Sequence, residues 1–88
     1  MAENDYLDSI YRIVRETAEE SKKQGSIFFL YDMVSLFRRY LTVCKRYTDS
    51  NNRRFRIDCL LLQIDRTVIE TEDYIRGANY ETEIKKSN

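Results

Sequence analysis

Hydrophobic residues recur along this chain at intervals of three and four, which is the spacing of one face of an α-helix. In the first such segment, about residues 4–24, the small and apolar positions on one face are Leu7, Ile10, Tyr11, Val14, Ala18 and Ser21. Lys22 and Lys23 follow in the last turn, where cations interact favourably with the helix dipole. Gly25 then suits a C-cap. The pattern predicts a first amphipathic helix that ends just before Gly25.

The second segment, about residues 27–48, carries two apolar stripes. The first stripe is Ile27, Leu30, Val34, Phe37, Leu41 and Cys44. The second stripe is Phe29, Met33, Leu36, Tyr40, Val43 and Tyr47. At about 100° per residue the two stripes cover roughly 200° of the helix surface, so this helix needs two neighbours. The simpler interpretation is the central helix of a three-helix bundle, with one stripe against each neighbour. The alternative leaves one stripe partly free for a partner.

A third helix is predicted after a cap at Asp49 and Ser50. Its core positions are Ile57, Leu61, Ile64, Val68, Thr71 and Ile75. A second apolar set lies on another side of the same helix and is expected to be exposed: Phe55, Leu62 and Ile69. Arg76-Gly77 reads as a turn, which leaves residues 78–88 as a tail or short extension anchored by Tyr80 and Ile84.

These elements predict an all-α fold, an antiparallel three-helix bundle with a short C-terminal extension. We expect one domain over residues 1–88, with its core at about residues 5–77. The side chains expected in the core include Val34, Phe37, Leu41, Leu61, Ile64 and Val68. The composition is 42% hydrophobic and 34% charged, with neither a membrane-spanning run nor a secretory signal. We therefore expect a cytoplasmic protein.

The composition also argues against catalysis. The chain contains no histidine, no proline and only two glycines. Histidine is the usual general base and a frequent zinc ligand, and glycine-rich loops hold phosphates. We expect no enzymatic activity, no metal and no cofactor. Cys44 and Cys59 lie on separate predicted helices, and we expect both thiols to be reduced, buried and important only for packing.

A basic segment stands out against a net charge of zero. Residues 38–56 hold seven bases and one acid, whereas residues 1–37 and residues 57–88 each hold seven acids and four bases. The seven bases are Arg38, Arg39, Lys45, Arg46, Arg53, Arg54 and Arg56. We expect them to gather where the second helix turns into the third. Such a basic patch suits nucleic acid, an anionic membrane or an acidic peptide, and the alternative is a solvated turn balanced by nearby acids.

Residues 33–43, with the sequence MVSLFRRYLTV, resemble a stretch in the amino-terminal helical domain of endosomal deubiquitinases of the AMSH type. In that family a small residue, an aliphatic run, Leu-Tyr, a basic residue, Tyr, an aliphatic residue and Thr follow in this order. Residues 17–20 also look like the family's first helix. The chain departs from the pattern at Met33, where the family prefers Ala, and at Phe37, where it prefers Tyr.

The wider group is the MIT (microtubule interacting and trafficking) domain, a three-helix fold. The resemblance implies that a groove between helices 2 and 3 receives a short motif from a partner, and that self-association is to be expected in some members. In this chain the groove would be lined by Met33, Leu36, Tyr40, Val43, Leu62 and Ile69. The basic patch would suit an acidic helical motif.

Taken together, the sequence predicts a non-enzymatic protein-protein interaction module of MIT-like type, in an endosomal sorting, trafficking or cytoskeletal assembly. It would bind a short partner motif, homodimerise, or do both. Two alternatives remain at this point: a small nucleic-acid-binding protein that uses residues 38–56, and a self-assembling structural bundle.

Overall fold

A computed structural model gives the backbone of residues 2–87 and the side chains of residues 6–78. Three α-helices follow one another: α1 (Ala2–Gln24), α2 (Phe28–Tyr47) and α3 (Asn51–Ser87). Each helix contacts both of the others. The described part of the chain contains no strand. The predicted all-α three-helix bundle is therefore confirmed.

The core lies along the axis of the bundle and receives side chains from all three helices. The fully buried apolar side chains are Val14, Leu30, Leu41, Ile57 and Ile64. Val34 and Val68 are also buried, as predicted. Phe37 and Leu61 are only partly buried, so the expectation of full burial was wrong for both, and they pack against the edge of the core. Leu60, one position before Leu61, takes the more buried place on α3.

Both connections between helices use the predicted capping residues. Gly25 has φ 71°, a left-handed conformation that glycine adopts without steric cost, and its N–H donates to the Ser21 carbonyl at 2.9 Å. At the start of α3 the Arg53 N–H donates to the Ser50 hydroxyl oxygen at 3.2 Å. Ser50 thus acts as an N-cap, which stabilises a helix by about 1 kcal/mol.

The predicted turn at Gly77 is wrong, because α3 continues through Gly77 to Ser87. Gly77 does not have a positive φ. A single glycine inside a helix costs only about 1 kcal/mol relative to alanine, and no proline follows to end the helix. The predicted anchors Tyr80 and Ile84 lie outside the residues whose side chains the structure describes. None of the described helices is long and apolar enough to cross a bilayer.

Candidate protein-interaction surface

The second apolar stripe of α2 is largely exposed to solvent. Five of its side chains are 51–77% exposed: Phe29, Leu36, Tyr40, Val43 and Tyr47. Met33 is partly buried. The simpler interpretation, in which this stripe packs against a second neighbour within the bundle, is therefore wrong. The first stripe alone faces the shared core, since both neighbours meet α2 on that side.

The exposed stripe borders α1, not α3. Leu36 and Tyr40 line an open groove of about 460 Å³ with Tyr6, Ile10 and Ile13 of α1. The rings of Tyr6 and Tyr40 meet edge to face, with centroids 6.1 Å apart. We define the α1–α2 face as the side chains of Tyr6, Ile13, Phe29, Met33, Leu36, Tyr40, Val43 and Tyr47. Its α1 members, Tyr6 and Ile13, were missed by the sequence analysis.

Met33 is tied to α1 as well. The Thr17 hydroxyl donates to the Met33 sulfur at 3.1 Å. Met33 therefore contacts α1 directly, which explains its partial burial. Four residues predicted to line a groove between helices 2 and 3, Met33 among them, instead belong to the opposite side of α2. The predicted location of that groove is wrong.

A row of polar pairs crosses the α2–α3 seam where the apolar groove was expected. Arg38 pairs with Asp65, and the Lys45 ammonium lies 2.7 Å from a carboxylate oxygen of Asp58. The Tyr31 hydroxyl donates to Glu72. The pattern was visible in the sequence, since positions 31, 38 and 45 of α2 and positions 58, 65 and 72 of α3 each repeat every seven residues. Opposite charges at matching heptad positions indicate neighbouring helices.

Leu62 and Ile69 are exposed on α3, at 69% and 56%. Their predicted exposure is confirmed. Each follows one of the seam acids, Asp58 or Asp65, by four positions. Four positions rotate a side chain by about 40° around the helix, so both lie further round the α3 surface than the acids, on the side away from α2. The polar seam thus separates them from α2. The structure does not bring them together with Leu36, Tyr40 or Val43.

The basic patch is largely engaged within the chain. Arg38 and Lys45 make the seam pairs described above. Arg54 donates to the Thr48 carbonyl at 2.8 Å, which satisfies an acceptor at the end of α2, and Arg53 lies 5.7 Å from the centre of the Tyr6 ring. Arg56 borders a separate pocket of mixed polar and apolar lining on α1 and α3. Among the seven bases, Arg39 and Arg46 extend from the exposed side of α2.

Neighbouring polar side chains raise three pKa values at the surface. The bond to Glu72 raises the pKa of Tyr31, and the neighbouring Cys44 thiol raises the pKa of Tyr40. The hydroxyl of Tyr11 accepts a hydrogen bond from Arg15 at 3.1 Å and raises the arginine pKa. None of these groups changes charge near neutral pH, so none is suited to proton transfer there.

A second, polar cleft of about 250 Å³ lies between α1 and α3. It is lined by three bases and two acids together with hydroxyl and amide side chains: Tyr11, Arg15, Glu19, Lys22, Gln63, Arg66, Thr67, Glu70 and Thr71. Lys22 lies over the ring of Tyr74 at 5.3 Å. Mixed charge of this kind selects no single class of ligand. Among the described residues no group of three or more Cys, Asp or Glu could hold a metal ion.

Cys44 and Cys59 are free thiols, and both are partly buried. The prediction of full burial is wrong, and the reduced state of the thiols stays a prediction. We expect both thiols in the native protein to react with iodoacetamide more slowly than in urea-unfolded protein but at a measurable rate, because partial burial restricts access without removing it. Mass spectrometry over time checks this. Complete protection of either thiol would contradict the observed exposure.

Comparison with protein-family models, curated proteins and solved structures found no match.

Proposed function

We propose that this chain is a non-enzymatic protein-interaction module that binds an amphipathic helical surface of a partner through the α1–α2 face. One observation carries the proposal: the second stripe of α2 is apolar throughout and, apart from the partly buried Met33, is exposed from Phe29 to Tyr47. A helix with apolar residues at alternating intervals of four and three is the surface that another helix packs against. The groove beside Leu36 and Tyr40 gives such a helix a place to insert side chains.

The size of the surface supports the same function. An aromatic side chain offers roughly 150–250 Å² and an aliphatic one somewhat less. With their exposed fractions, the six most exposed members of the face then present on the order of 600 Å² of side-chain surface: Ile13, Phe29, Leu36, Tyr40, Val43 and Tyr47. Apolar patches on monomeric proteins reach about 300–600 Å², and a stable interface buries about 800 Å² on each partner. The face is large enough to form the centre of such an interface.

Nucleic acid is the less favoured ligand. Phosphate recognition needs several basic side chains that are free to exchange counterions for phosphates. Here Arg38 and Lys45 already pair with acids of α3, and Arg54 already bonds the end of α2. The acidic partners also lie beside these bases and oppose the approach of a polyanion.

The cellular setting in this proposal rests on the resemblance of residues 33–43 to MIT domains. It implies a trafficking or cytoskeletal assembly, and endosomal sorting in particular. The charge-rich sequence favours a cytoplasmic location for this role. The proposed partner surface is the α1–α2 face, which replaces the α2–α3 groove that the resemblance implied.

A phage-displayed library of amphipathic helical peptides tests the interaction function. We expect selection on the wild-type chain to yield peptides with an apolar stripe. Their binding should fall by a hundredfold or more with Leu36→Asp, because a charge would then have to be buried at the centre of the interface.

Leu62→Asp is the matched control, since Leu62 is an equally exposed leucine on α3. It should leave peptide affinity unchanged. Circular dichroism verifies that both variants keep the helical content of the wild type. Selected peptides that bind Leu36→Asp normally, or no selected peptide at all, would contradict the proposal.

A further inference from the structure

The α1–α2 face has an acidic end and a basic end. Glu16 and Glu20 of α1 line a cavity with Phe29 at the start of α2, and Asp32 lies one turn further along α2. At the opposite end, Arg46 lies in the last turn of α2 and Arg53 lies over the ring of Tyr6. The ends are distinct because α1 and α2 run antiparallel, so each end combines the start of one helix with the end of the other.

We infer that the occupant of the α1–α2 face is the same face of a second copy of this chain, related to the first by a two-fold axis that sets the two α2 helices antiparallel. The inference rests on the proposed function and names its partner. In a two-fold dimer each contact occurs twice, so a surface must be complementary to itself. A face that is acidic at one end and basic at the other meets this condition when the two copies are antiparallel.

The spacing of the stripe fits the same arrangement. In a pair of antiparallel helices from two identical chains, residues that lie level with each other have position numbers with a constant sum. The centre of the stripe lies between Leu36 and Tyr40, so here that sum is that of positions 36 and 40. Leu36 of one copy then lies level with Tyr40 of the other, and Phe29 lies level with Tyr47. Each layer therefore combines two apolar side chains from the exposed stripe.

The charged border of the stripe lies within two positions of the same register. Asp32, Arg39 and Arg46 repeat every seven residues along the side of the stripe away from α1. In this register Asp32 of one copy lies two positions, about 3 Å along the helix, from the level of Arg46 of the other, a gap that the long arginine side chain spans, and this pair occurs twice. Neither side chain makes an ion pair with the described residues of its own chain, so both are available. Arg39 of one copy approaches Arg39 of the other near the two-fold axis, and this is the one contact between like charges along the border.

A parallel dimer through the same face is disfavoured by these charges. It would set the two acidic ends side by side and the two basic ends side by side. Like charges brought together at an interface select against that arrangement. The charges thus select the orientation, while the apolar stripe supplies the affinity.

Exchange of the two border charges tests the inference on the whole chain. Sedimentation equilibrium at low salt should show a wild-type dimer with a micromolar Kd. Asp32→Arg and Arg46→Asp should each weaken self-association about tenfold, since each change sets like charges together at both ends. An equimolar mixture of the two variants should recover wild-type affinity, because every Asp32 position then meets an opposite charge. The double variant should recover it as well.

Two further variants locate the interface. Leu36→Asp should abolish dimerisation, and Phe29→Ser with Tyr47→Ser provides a second disruption at exposed positions if Leu36→Asp does not fold. Arg39→Gln should strengthen the dimer about twofold to fivefold by removing the like-charge contact at the axis.

The outcomes separate this inference from the proposed function. A wild-type chain that stays monomeric while selected peptides still bind the α1–α2 face would overturn the second-copy inference and leave the function in place. A mixture of Asp32→Arg and Arg46→Asp that associates no more tightly than either variant alone would overturn the antiparallel arrangement. A dimer that resists Leu36→Asp but dissociates with Leu62→Asp would use the α3 stripe, and would contradict both proposals.

Discussion

Replacing Leu41 by alanine is expected to lower the free energy of unfolding by about 2–5 kcal/mol. Leu41 is fully buried and belongs to the apolar cluster shared by all three helices. The substitution removes three carbon atoms and leaves a cavity that neighbouring side chains fill only in part, so the loss includes both transfer and packing. Since domains of this size are stable by only about 5–15 kcal/mol, the variant should be partly unfolded at modest urea concentration.

Urea unfolding followed by circular dichroism measures this loss. Leu62→Ala is the matched control, because it removes the same atoms from a leucine that is 69% exposed, and it should change the stability by less than about 0.5 kcal/mol. Protein concentration must be kept equal among variants, since the proposed dimerisation would also stabilise the folded chain. Equal losses for Leu41→Ala and Leu62→Ala would mean that the core assignment is wrong.

Replacing each of the two glycines by alanine should change the stability of the folded chain in opposite directions. Gly25→Ala is expected to destabilise the chain by about 1–2 kcal/mol, because a left-handed conformation brings Cβ close to the backbone. Nothing lies within 4 Å of a Cβ at Gly25, so the cost comes from the backbone conformation, φ 71°, and not from a neighbour. Gly77→Ala is expected to stabilise the chain by about 0.5–1 kcal/mol, because Gly77 lies inside α3 and a Cβ there also meets no other atom.

Thermal unfolding of the two variants checks this pair. For a domain of 60–100 residues, 1 kcal/mol corresponds to a Tm change of about 4–8 °C, so the two curves should fall on opposite sides of the wild type. Each variant serves as the control for the other, since both make the same covalent change. A Gly77→Ala variant that melts below the wild type would contradict the continuous third helix.

The periodicity of the chain was sufficient to predict the helices and most of the core. The three segments, the caps at Gly25 and Ser50, and the exposure of Leu62 and Ile69 all follow from local spacing, which depends on neighbours only a few residues away. Periodicity could not say which neighbour each stripe of α2 would face. That choice depends on packing between distant segments, and the pairing of Arg38 with Asp65 indicates it more directly than any apolar residue does.

The candidate site was harder to predict for the same reason. Leu36, Tyr40 and Val43 are exposed, as their predicted role in binding a partner requires, but the α1 residues beside them were not predicted. Tyr6 and Ile13 belong to an ordinary amphipathic helix in the sequence, and only the antiparallel contact with α2 makes them part of a shared face. The error at Gly77 has another origin, since a glycine breaks a helix only when the surrounding sequence also favours a turn.

The shortness of the two connections, residues 25–27 and 48–50, has a kinetic consequence. Helical bundles with short connections make mostly local contacts, and such chains fold in microseconds to milliseconds. Chains that fold this fast spend little time in collapsed states that expose both core and surface apolar groups, where aggregation begins. This chain keeps a large apolar face in its native state. Fast folding limits the time during which the side chains of that face can form non-native contacts with side chains that belong to the core.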